Sequence, residues 1–170
     1  MRRFLICTLV FASTLAVAGS TSFGAGRVRR AAANDELLTS VGIDLATVTS
    51  RLPCYASSRR PGDPLEFFYC VYVQDPNEIN LYSMDGDYLA LELTLKLRKI
   101  EGIALQEARW TRQLQIFSDS RVTTVSFVPK AMKDGVKQAE EVYQSLAGQG
   151  VRTQAPVPWI GNSTGLFSLN

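Results

Sequence analysis

Apolar and polar positions trade places along this chain with two different periods. From Leu89 onward the alternation is strict: Leu89, Leu91, Leu93, Leu95 and Leu97 are separated by Ala90, Glu92, Thr94 and Lys96, with Arg98 following. A strand turns successive side chains to opposite faces, so this spacing predicts a strand with every leucine on one side. Leucine favours helices, but a period of two would scatter these residues round a helix, and pattern outweighs propensity. The aromatic and β-branched run from Leu65 to Gln74 predicts a central strand, and Ile79–Ser83, Trp110–Phe117 and Arg121–Val128 predict three more. Asp75-Pro76-Asn77, Asp85-Gly86 and Ser118-Asp119-Ser120 supply the turns between them.

The longer period occurs twice. Asn34 or Asp35 caps a helix that starts at Glu36, places Leu37, Val41, Leu45, Val48 and Leu52 on one face, and stops at Pro53. Met132, Val136, Ala139, Tyr143 and Leu146 form a second stripe, opposite Lys133, Lys137, Glu140, Glu141 and Gln144, with Gly148 and Gly150 ending it. The succession predicts an α+β fold: an antiparallel meander of about five strands with an N-terminal and a C-terminal helix packed on it. That domain spans residues 35–154, and residues 155–170, which open Ala155-Pro156-Val157-Pro158-Trp159, predict an extended tail.

The first residues carry a different pattern. Met1-Arg2-Arg3 precedes an apolar run from Phe4 to Ala18, and Ala16-Val17-Ala18 has the small residues that a signal peptidase accepts, so residues 1–18 are expected to be a signal peptide. The run is short against the roughly twenty residues that cross a bilayer. Residues 19–34 contain no acid and read as a flexible or processed leader segment. Arg27-Val28-Arg29-Arg30 has the form of a dibasic processing site. A signal peptide followed by Phe23 and a basic stretch also resembles the bipartite leader of algal plastids acquired by secondary endosymbiosis. An extracytoplasmic destination, periplasmic or secreted, is the first expectation, and a plastid or other organelle the alternative.

Cysteine usage agrees with export. Cys7 leaves with the signal peptide, and Cys54 and Cys70 remain as an even pair expected to form a disulfide between the end of the first helix and the first strand. Their spacing is far from that of redox or zinc pairs.

Composition narrows the chemistry further. The chain of 170 residues has no histidine, which removes Ser–His–Asp and Cys–His catalysis, histidine-ligated zinc and haem. No cofactor or metal is expected, and Asp75, Asp85 and Asp87 read as turn formers because their spacing does not match a calcium loop. A net charge of +2, close to neutral once the basic leader is set aside, gives no footprint for nucleic acid. No catalytic residue is assigned. The candidate binding residues are Arg59 and Arg60 in the disulfide loop, Lys96 and Arg98 on the polar sheet face with Glu92, Arg112 and Arg121 near them, and Trp159 in the tail. The expected function is that of an exported, non-catalytic binding or accessory protein working through protein–protein contacts. A structural subunit of an organelle assembly is the second expectation. A hydrolase built on carboxylates such as Glu92 and Asp87 is the third. Asn162-Ser163-Thr164 forms a glycosylation sequon that matters only in a eukaryotic secretory lumen.

Overall fold

The computed structural model describes residues 24–60, 62–64, 66–108, 111–158 and 160, with the backbone alone at Ala108. Seven strands form one sheet: β1 (Ser50–Arg59), β2 (Phe68–Gln74), β3 (Glu78–Asp85), β4 (Tyr88–Lys96), β5 (Ile100–Ala108), β6 (Thr111–Ser118) and β7 (Arg121–Phe127). Their order across the sheet is β4-β3-β2-β1-β7-β6-β5, and every neighbouring pair is antiparallel. The fold is α+β as expected, but with seven strands instead of five.

The two additional strands, β1 and β5, have distinct causes. The helix expected to run to Leu52 is only Asp35–Ser40, which is α2; Asn34 caps it by accepting from the Leu37 amide. The chain then turns at Gly42, whose φ of +84° suits a residue without a side chain. Leu52 and Pro53 therefore lie in a strand. Pro53 is tolerated there because its carbonyl, which accepts from Val128, points towards β7 beyond the last paired residue, Phe127. The missing N–H would point the same way, so no β1–β2 bond is lost. β5 follows a 3-10 turn, Leu97–Lys99, and its pattern is interrupted by a register shift at Glu101.

Both faces of the sheet are covered. On one, α3 (Met132–Gly148) lies over β5, β6 and β7, burying Ala139, Val142 and Leu146 against a core that includes Tyr72, Leu81, Ile103, Leu114, Ile116, Val125 and Phe127. Gly135 permits the close approach, since a Cβ there would stand 2.8 Å from the Phe127 carbonyl oxygen. On the other, helix α1 (residues 24–32) presents Ala25, Val28, Ala31 and Ala32 to Val71, Val73, Tyr82 and Leu89, with Leu38 of α2 completing the cluster. Within the segment expected to be a leader, residues 24–32 are thus helical and packed. Arg29 donates its Nε to the Val128 carbonyl at 2.7 Å, which ties α1 to the end of β7.

The leucine series of β4 does not stay on one face. Leu81 pairs with Leu93 but Tyr82 pairs with Leu91, so Glu92 is an extra residue, a β-bulge. Leu93, Leu95 and Leu97 join the α3 side, whereas Leu89 packs in the α1 cluster. A strict period of two reports one face only while the pairing register holds.

Cys54 and Cys70 stand directly opposite each other on β1 and β2 with Cα atoms 5.0 Å apart, and their sulfurs are at disulfide-bonding distance. The bridge joins two adjacent strands inside the core, not a helix to a strand as expected.

Candidate functional site

The residues singled out from sequence do not form one surface. Arg59 ends β1, and Arg60 lies in the β1–β2 loop, where its backbone N–H donates to Asp63 Oδ2 at 3.0 Å. Lys96 is paired with Glu78 across the β3–β4 hairpin. Its ammonium and the Asn80 amide hold the Glu78 carboxyl below the usual glutamate range. Arg98 belongs to the turn after β4 and lines an open cleft of about 690 Å³ with Thr49, Pro76, Ile100, Gln149 and Arg152. Arg112 is paired with Glu107 at 3.1 Å, and Arg121 lies 3.5 Å from the Ser58 hydroxyl. Glu92 accepts from Ser83, and Asp87 sits in the β3–β4 turn. Trp159 lies outside the described residues.

Two features stand out once these are placed. The first is the edge formed by β4. Tyr88 is 77% exposed and Leu91 56% exposed on a strand whose outer side, among the described residues, carries no neighbour in the sheet. Both lie before the bulge at Glu92, in the stretch that pairs regularly with β3. The tight Asp85–Tyr88 connection, with Gly86 at φ +58°, holds Tyr88 at the tip of the hairpin.

The second feature is the course of the tail. After α3 the chain reverses at Gly150, with φ +89°, and Val151 donates back to the Leu146 carbonyl. Thr153 then bridges in parallel to Ile103 of β5: the Ile103 amide donates to the Arg152 carbonyl at 2.8 Å, and Gln154 donates to the Ile103 carbonyl at 2.9 Å. Gln154 crosses over Gly102, where any Cβ would collide with its side chain. The tail next meets the side chains of Gln113 and Gln115 on β6. Gln115 donates its Nε2 to the Val157 carbonyl at 3.1 Å and accepts from the Val157 N–H at 3.0 Å. Gln113 treats Ile160 in the same way, at 2.9 and 3.2 Å. Gln115 also donates to Gln113 Oε1 at 3.2 Å, which couples the two amides.

Both glutamines are buried, at 2% and 0% exposure. They share a sheet face with Thr124 and Ser57, since Gln115 pairs with Thr124 and Thr124 with Ser57. The hydroxyls of those two residues are buried and, among the described residues, without a hydrogen-bond partner. Reading the sequence for function did not select Gln113 or Gln115. Uncharged amides alternating with Leu114 and Ile116 look like the solvated face of a strand; the only signal of another role was a polar face without charge beside a proline-containing tail.

No protein-family model matches the sequence, and no curated protein does. Solved structures that match include the hSac2 domain of the human phosphoinositide phosphatase Sac2, at 9% identity and TM-score 0.49, covering 74% of this chain and 89% of that one. The PDZ-RhoGEF DH/PH domains in complex with GTP-γ-S-activated RhoA match at 13% identity and TM-score 0.44, covering 78% of this chain and 39% of that one. Autoinhibited Vav1 matches at 11% and 0.43, covering 71% and 24%. These likenesses assign neither an activity nor a ligand to this chain. Among the described residues, no helix is long and apolar enough to cross a membrane.

Proposed function

We propose that this chain is an exported, non-catalytic binding protein that engages a protein partner along the β4 edge. The observation that carries the reading is the pair Tyr88 and Leu91, large apolar side chains left exposed on a strand with one unpaired side. An open edge offers a row of backbone donors and acceptors, and apolar side chains beside it add burial to the pairing. The partner is an extended segment that adds a strand before the bulge and places an apolar residue against Leu91. The basic start, apolar run and small-residue cleavage site support export, as does a cysteine pair at disulfide-bonding distance in the core.

A photo-crosslinking amino acid placed at Leu91 in the native cells tests the contact. The expected result is one discrete protein adduct, lost when Tyr88 is changed to Ser. Absence of any adduct at Leu91, with the same probe active at a control surface position, would remove the β4 edge from consideration. Intact-mass analysis of the native protein tests export separately: a start at Gly19 and a gain of two hydrogens on reduction are expected.

A further inference from the structure

We propose that Gln113 and Gln115 form a clamp that binds extended peptide backbone, and that the chain's own tail, through Val157 and Ile160, occupies it as an exchangeable ligand in cis. The site lies on a sheet face and is independent of the β4 edge. The two side-chain amides make four hydrogen bonds to the tail, and all four go to peptide groups. Each glutamine offers one donor and one acceptor to one residue, the set that a neighbouring strand offers through its backbone. The reading is therefore of main-chain conformation and not of side-chain identity.

The tail is built to suit such a site. Pro156 and Pro158 flank Val157, and proline carries no N–H, so the two N–H groups used by the clamp, at Val157 and Ile160, fall on residues that retain one. Fixed proline φ angles keep the segment extended before it docks, which lowers the entropy lost on binding. Beside Gln115, the Thr124 and Ser57 hydroxyls are buried and, among the described residues, have no hydrogen-bond partner, so this sheet face holds polar capacity next to the clamp. The anchor at Ile103 keeps the tail at high local concentration, so a segment in trans enters only when the cis tail is released.

The test uses the full chain carrying a site-specific protease sequence inserted after Gln154, cut once, and a fluorescent peptide of residues 155–170. The labelled peptide is expected to exchange into the cut protein. N-methylation of its Val157 nitrogen should weaken binding by about tenfold or more, because one buried hydrogen bond is lost and a clash added. A Val157→Thr peptide should bind within about threefold of the parent. Equal binding of the N-methylated peptide, or failure of any peptide to enter a cut protein that keeps its helical and sheet signals, would overturn the proposal. Hydrogen exchange on the uncut chain decides the matter if cutting unfolds the protein. The Val157 and Ile160 amides should exchange at least about tenfold more slowly than open chain, and unprotected amides would rule out the clamp.

Discussion

At the scale of single residues, charge and shape act in separate places. Glu78 accepts from both Lys96 and Asn80, and these bonds lower its pKa from the ordinary value of 4.5. A carboxyl with a lowered folded-state pKa adds stability above its unfolded value and loses it as pH falls through the folded one. Lys96→Met should therefore raise the Glu78 titration midpoint, read by carbon NMR of its carboxyl, and make the loss of melting temperature below pH 4.5 shallower. An unchanged midpoint would mean that the pair is not formed in solution. Gly102 works through absence: the space that a side chain would fill is taken by the side chain of Gln154. Gly102→Val should turn the Gln154 side chain aside and leave the backbone bonds at Ile103 in place, so Val157 and Ile160 should keep their amide protection; loss of that protection would show that the Gln154 side chain holds the tail.

At the scale of elements, the bulge at Glu92 decides which core each half of β4 joins. Deleting Glu92 removes the extra residue yet leaves Leu91 and Leu93 on opposite faces, so the pairing with β3 continues unbroken. The deletion should cost about 1 kcal/mol, the order of the exposed Ser83–Glu92 bond that goes with it. Deleting Thr94 instead forces one leucine group onto the wrong face and should cost about 3 kcal/mol or more. Urea unfolding of the two variants separates the cases, and similar losses in both would contradict the register. The same bulge explains a limit of the sequence. The leucine alternation marked a strand correctly, because period is local, whereas an inserted residue is visible only in the partner strand. β1 escaped for a different reason: Leu37 to Leu52 keeps a helical spacing although Gly42 reverses the chain within it. α3 was legible almost whole, since its stripe, polar face and terminating glycines agree. Even so, its N-terminal Met132 is exposed and Gly135 is buried in its place.

At the scale of the whole molecule, α1, α2, α3 and the tail divide the two faces of one sheet, and the N-terminal helix is part of the packing. A chain beginning at Ala31 would lack Val28, fully buried, and Ala25. Burial of one valine contributes about 1.5–3 kcal/mol, so this chain should unfold at clearly lower denaturant than one beginning at Gly19. Equal midpoints would show that α1 is dispensable. Cys54 and Cys70 act on the same scale by closing a loop of about fifteen residues, and a Cys54→Ser, Cys70→Ser chain should lose about 3 kcal/mol. The disulfide pair was legible because Cys54 and Cys70 are the even pair left once residues 1–18 are set aside, and their sulfurs stand at bonding distance. The proposed binding surfaces were not legible: that β4 is an edge shows only in the strand order, and the glutamine pair acquires its surroundings only when the tail meets β6. The tail has one more effect. Among the described residues, by taking both backbone groups of Ile103 it leaves β4 as the one side of the sheet fully open for register-long pairing. A molecule with a single such side behaves as a chain stopper: two copies joined through it consume both ends at once, and assembly halts at a pair instead of growing into a fibre.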